Sequence, residues 1–87
     1  MTFTKKDIDA IKRRTERNFH GENMEIVAKK IKSPLAKEFH QINAMHKKIG
    51  YLPYDLSQKR FGKFIQLKGE LKKKLSQKEF ENVWGGF

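Results

Sequence analysis

The stretch SPLAKEFHQINAMHKKIGYLPYD, residues 33–55, decides the fold. Leu35, Phe39, Ile42, His46 and Ile49 alternate steps of four and three, with Ala36 and Asn43 alongside, which is the apolar face of an α-helix. Ser33 followed by Pro34 opens that helix, because proline is tolerated at a first helical position. Gly50 supplies the left-handed residue that stops it. Pro53 lacks the N–H that a continuing helix needs and restrains Leu52 to extended geometry, and Asp55 is placed to cap a following helix. The stretch therefore predicts a helix over 34–49, a tight joint, and a new helix from about 56. Tyr51 and Tyr54 bracket the joint, and the expectation is that their rings pack there while their hydroxyls reach water. Stacking on a base or docking to a partner is the alternative for both.

The flanking sequence extends the same architecture. Thr4 with Asp7 has the spacing of a capping box, and Phe3 is placed to fold back on Ile8, so a first helix is expected near 5–18 with Ile8, Ile11, Thr15 and Phe19 inward. His20, Gly21, Glu22 and Asn23 read as a connection, with Asn23 capping a second helix near 24–32 that carries Met24, Val27, Ala28 and Ile31. Beyond the joint, Leu56, Phe61, Phe64, Ile65, Leu67, Leu71 and Leu75 share one broad half of a helical wheel over 56–75. Ser76 and Glu79 form a second capping box for a helix near 77–84 that turns Phe80, Val83 and Trp84 inward. The prediction is one all-α domain spanning 1–87, with four or five helices. Its core is drawn from Ile8, Ile11, Val27, Ile31, Leu35, Phe39, Ile42, Ile49, Phe61, Phe64, Ile65, Leu71, Phe80 and Trp84.

An 87-residue chain supports one small core, and without cysteine it has neither a disulfide nor a thiolate ligand or nucleophile. No apolar run approaches the length of a membrane span, and no apolar segment follows the charges near Met1, so a soluble, intracellular (cytoplasmic) protein is expected. Lysine and arginine number 20 against 10 acids, and the excess is spread over both halves of the chain. A charge of +10 on so small a body favours phosphate polymers or acidic protein faces.

Catalytic and metal chemistry find little support. His40 and His46 are six residues apart, roughly 240° around a helix, and His20 belongs to another segment. Neither a zinc-protease motif nor a phosphate-binding loop is present, so the reading is non-catalytic, with no cofactor and no metal. His46 is expected to be a hydrogen-bonded histidine at the core edge.

Binding residues are better signalled. Lys6, Ala10, Arg13 and Arg17 form a stripe nearly opposite the apolar face of the first helix, suited to successive backbone phosphates. Lys59, Lys63, Gln66, Glu70 and Lys73 form another on the fourth, flanked by Gly62 and Gly69, for which helix packing or a kink is the expected reason. Residues 24–49 weakly resemble a helix-turn-helix with too short a turn and no glycine, in which Lys37, Gln41, Ala44 and Lys48 would line the outer face of the reading helix. Part of the charge has a structural use, because Lys29, Lys30, Lys32, Lys47, Lys48, Lys72, Lys73 and Lys74 sit where helix C-termini are predicted.

The expected function is non-catalytic binding of nucleic acid or a nucleoprotein complex by a small regulatory or accessory protein. The expected contacts are Lys6, Arg13, Arg17, Lys37, Lys48, Lys59, Lys63 and Lys73, with Tyr51 and Tyr54 as candidate stacking or docking residues. The alternative is an inhibitor or adaptor that docks an acidic partner protein through an aromatic anchor. Association with a membrane surface ranks third, since no helix combines a large apolar face with a wholly basic one.

Overall fold

Five helices follow one another in the computed structural model, which describes residues 3–16 and 20–87: α1 (Lys5–Glu16), α2 (His20–Lys30), α3 (Leu35–Ile49), α4 (Tyr54–Lys74) and α5 (Gln77–Trp84). The expected end of α1 at residue 18, and Phe19, lie outside the described residues. The described residues contain no strand, and no helix among them is long and apolar enough to cross a membrane. The radius of gyration, 12.5 Å, is close to the value of about 12 Å for a single folded domain of this length.

Local chemistry sets most boundaries. The Thr4 backbone N–H donates to Asp7 Oδ2 and the Asp7 N–H to Thr4 Oγ1, both at 3.2 Å, closing a reciprocal capping box on α1. Ser76 Oγ accepts from the Glu79 N–H at the start of α5, and the Ser33 hydroxyl accepts from the Leu35 N–H at the start of α3. Gly50 ends α3 at φ 91°, and its N–H returns to the His46 carbonyl. At α4 the cap position falls to Pro53, and Asp55 lies inside the first turn, where its charge complements the helix dipole without capping.

The second helix departs from expectation. Residues 20–23 are its first turn rather than a connection, and Asn23 is fully buried inside it, donating Nδ2 to the Ile11 carbonyl of α1 at 3.0 Å. The side chain that looked like a cap is a tertiary hydrogen bond between helices. The other end of α2 closes with Lys32 in the left-handed region at φ 58°, the Ser33 N–H bonding the Ala28 carbonyl and the Lys32 N–H that of Lys29. These are the two bonds of a Schellman cap, with lysine where glycine is usual. The link between α2 and α3 is thus residues 31–34, long enough for a helix-turn-helix turn, which corrects the shorter link read from the sequence.

Helix α2 packs chiefly against α3, α1 lies on α2 and α5, and α4 lies on α3, α2 and α5. Phe3, Ile11, Val27, Phe39, Leu67, Leu71 and Val83 form the fully enclosed centre, while Ile8, Phe64, Phe80 and Trp84 pack at its edge. Three expected core residues, Ile49, Phe61 and Ile65, are instead exposed. Leu67 and Leu71 fix the inward direction of α4, and Phe61 and Ile65 fall too far round the wheel to reach the core. A Cβ added at Gly62 or Gly69 would meet nothing within 4 Å among the described residues, so no described helix packs closely enough to account for these glycines.

Asn43 joins α2 to α3. Its Nδ2 donates to the Gly21 carbonyl at 2.8 Å and to Glu25 Oε2 at 3.0 Å, and the other Glu25 oxygen meets His40 Nδ1 at 2.6 Å and Lys29 Nζ at 3.3 Å. Burial raises the pKa of the Glu25 carboxyl, but the bonds from Asn43, His40 and Lys29 outweigh it and leave the group below its ordinary value of 4.5. A carboxylate whose pKa is depressed by folding contributes stability above its unfolded value and loses it as pH falls through the folded one. Wild-type stability should therefore drop below about pH 4.5, and Glu25→Gln should show a flatter acid limb in urea melts followed from pH 7 to pH 3.

The glycines give a second test. A methyl group on Gly21 would collide with Asn43 Oδ1 and lie 2.9 Å from an Arg60 nitrogen, whereas Gly69 faces open space. Gly21→Ala should lower stability by about 1–3 kcal/mol through overpacking. Gly69→Ala should raise it by about 0.5–1 kcal/mol through helix propensity. Thermal and chemical denaturation of the two variants checks the opposite signs.

Candidate nucleic-acid interface

Helices α3 and α4 form an antiparallel hairpin, as two cross-contacts establish. Lys63 Nζ meets Glu38 Oε2 at 2.9 Å, and further from the joint Lys74 Nζ donates to the Ile31 carbonyl at 3.1 Å. The Glu38–Lys63 pair also fixes which edges of the two helices face each other. Turning from Glu38 toward solvent, α3 presents Gln41, Lys48 and Lys37; turning from Lys63, α4 presents Lys59, Gln66 and Lys73. These six are exposed, so candidate cations far apart in sequence share one outer face of the hairpin, together with the exposed Asp55 and the half-buried Glu70, which have no ion-pair partner among the described residues.

Ion pairing separates structural cations from available ones. Glu25 holds Lys29, Asp7 holds Lys30 at 3.2 Å, Glu22 holds Lys47 at 3.1 Å, and Glu38 holds Lys63. Lys37, Lys48, Lys59 and Lys73 have no ion-pair partner among the described residues. Lys63 is thereby a bridge between helices more than a ligand contact.

The first-helix stripe lies elsewhere. Lys6 and Arg13 are exposed, but α1 touches α2 and α5 and neither α3 nor α4, so these two cations do not join the hairpin face. Arg17 lies outside the described residues. The tyrosines at the closed end of the hairpin are 63% (Tyr51) and 76% (Tyr54) exposed, which overturns the expectation that their rings pack the joint. Gly50 and Pro53 turn the chain without them. His40 is drawn to Glu25, a partner 15 residues away that local spacing did not reveal.

A second feature lies round the far side of α4. Met24, Ser57, Arg60, Phe61, Phe64, Trp84 and Phe87 line a cavity of about 480 Å³. Phe64 stacks on Trp84 at 4.7 Å between centroids, Phe80 stacks on it at 5.9 Å, and Lys68 Nζ sits 5.2 Å over the same ring. Arg60 is half-buried and has neither an ion pair nor a hydrogen bond among the described residues, and burial pushes its guanidinium pKa down. Sequence reading missed it because one arginine among many cations carries no mark of its surroundings. No group of three or more histidine, aspartate or glutamate side chains gathers as a metal site among the described residues.

No protein-family model matches the chain, and no curated protein or solved structure matches it.

Proposed function

We propose that the chain is a non-catalytic nucleic-acid-binding protein that holds a phosphate backbone on the outer face of the α3–α4 hairpin. The observation that carries this reading is the allocation of charge: Lys37, Lys48, Lys59 and Lys73 are exposed on one face without ion-pair partners among the described residues, while Glu22 and Glu38 are engaged with Lys47 and Lys63, which leaves Asp55 and Glu70 as the acids on that face of α4. Four mobile ammonium groups along two adjacent helices suit successive phosphates, and releasing the counterions of those phosphates drives binding. Gln41 and Gln66 lie between the lysines and offer amides to sugars or base edges. The four-residue link before α3, with its left-handed Lys32, supports the related reading of α3 as a groove-entering helix. A regulatory or accessory role fits a surface that binds without reacting.

Fluorescence anisotropy with labelled duplex DNA, single-stranded DNA and RNA across a salt series tests the proposal. Changing Lys37, Lys48, Lys59 and Lys73 together to glutamine should leave the helical circular dichroism intact and make the log–log salt slope shallower by about 3–4. Changing Lys29 and Lys30, which are held by acids, should do much less. Absence of wild-type binding at low salt, or an unchanged slope in the fourfold variant, would sink the reading.

The exposed tyrosines give an independent readout. Tyr51→Leu and Tyr54→Leu should leave Tm nearly unchanged, since neither ring is packed. A ring that stacks on a base should lose about 1–3 kcal/mol of single-strand affinity as leucine and little as phenylalanine. A fall in Tm without loss of affinity would return both residues to a packing role.

A further inference from the structure

We infer that the cavity bounded by α2, α4 and α5 is a docking site for an acidic segment of a partner protein, which seats one bulky apolar side chain against Phe61, Phe64 and Trp84 and sets a carboxylate on Arg60. The volume, about 480 Å³, falls within the range of about 300–1,000 Å³ typical of sites that take organic groups. Its walls are aromatic and thioether surface, and its polar groups are Ser57 and Arg60. The occupant must therefore present a large apolar body beside an anion.

Arg60 specifies that anion. A half-buried guanidinium that has given up water without gaining an acid is costly, and a carboxylate restores the balance through paired, charge-assisted hydrogen bonds. No described acid of this chain does so.

The surroundings specify a protein segment. Apolar surface continues past the cavity along α4, where Phe61 is 61% and Ile65 52% exposed, with Tyr54 on the same ridge. A ridge several turns long exceeds what a small molecule covers and suits the apolar stripe of a helix or extended peptide. Lys68 and Lys72 rise beside it, over Trp84 and Phe80, without ion-pair partners among the described residues, so the rim is positive. A second copy of this chain across that rim would oppose like charges, whereas an acidic partner meets complementary ones. Nucleic acid fits less well, because Phe64 and Phe80 already lie on the Trp84 ring that a base would use, and the lysine ridge proposed for phosphates runs along the other side of α4.

Selection from a displayed library of random 16-residue peptides on the folded protein tests the site. The expected winners carry an aromatic or long aliphatic residue near aspartate or glutamate. Their affinity should fall about 10- to 100-fold for Arg60→Gln, and as far for Ser57→Trp, which fills the cavity. Both variants should retain nucleic-acid binding, and the fourfold lysine variant should retain the peptides, so failure here and failure of the hairpin interface are separable. Thermal melts establish that each variant is folded, and two independent variants guard against the loss of one. Recovery of no peptides, of peptides without acids, or of peptides indifferent to both variants would overturn the inference. So would a wild-type dimer in sedimentation that Ser57→Trp abolishes, or displacement of the peptide by single-stranded DNA that Arg60→Gln no longer binds.

Discussion

The amide of Asn43 decides how α2 sits on α3, and the placement of the remaining helices follows. It takes the Gly21 carbonyl in the first turn of α2 and Glu25 one turn on, so both the register and the separation of the two helices are set by a buried, directional contact. Apolar packing alone would tolerate some sliding of Val27 and Ala28 past Phe39 and Ile42, whereas a buried amide without its partners would not. Gly21 belongs to the same constraint, since only a residue without Cβ lets the Asn43 amide and the Arg60 guanidinium come so close to the backbone. Asn23 plays the matching part between α2 and α1 through the Ile11 carbonyl. Two asparagines thus fix three helices.

That arrangement also distributes charge. Acids on α2 reach cations on α3 and on α2 itself, and Glu38 reaches across to α4, so attraction between opposite charges is concentrated at helix seams. What remains on the outer ridge of the hairpin is mainly positive, with Lys37, Lys48, Lys59 and Lys73 outnumbering Asp55 and Glu70. The two surfaces of α4 then differ in kind: one edge carries hydrated ammonium groups suited to a polyanion, the other an aromatic recess with a guanidinium. The two proposed ligands would occupy different sides of one helix, which makes the chain suited to joining them.

Caps were legible in the sequence because they are local. Thr4 with Asp7, Ser76 with Glu79, and Gly50 each need only a few neighbouring residues to act, and they stand at or within a residue of the ends the periodicity suggested. The start of α2 was not legible, because the reason Gly21 and Asn23 are helical lies on α3 and α1. The stripes Lys37–Lys48 and Lys59–Lys73 were legible as faces, but their convergence on one surface, the loss of Lys63 to Glu38 and the separation of Lys6 and Arg13 all depend on helix packing. Phe61 and Ile65 were read as core because hydrophobicity alone cannot tell a residue facing the core from one at the margin of a wide apolar arc. Arg60 shows the same limit for charge, since its isolation from acids is a property of its neighbours in space.

The contact between α1 and α5 has a consequence for the order in which the molecule matures during synthesis. Gly86 lies close against Ile11 and Lys12, and Val83 is sealed into the centre of the molecule, so the inner face of α1 is not covered until the last turn of α5 arrives. The hairpin of α3 and α4 needs only neighbours within about forty residues of chain and can close early, since short loops cost little entropy. The aromatic recess, whose wall includes Trp84 and Phe87, cannot exist before the ribosome has released that segment. The basic ridge can therefore form on a nascent chain before the aromatic recess is complete.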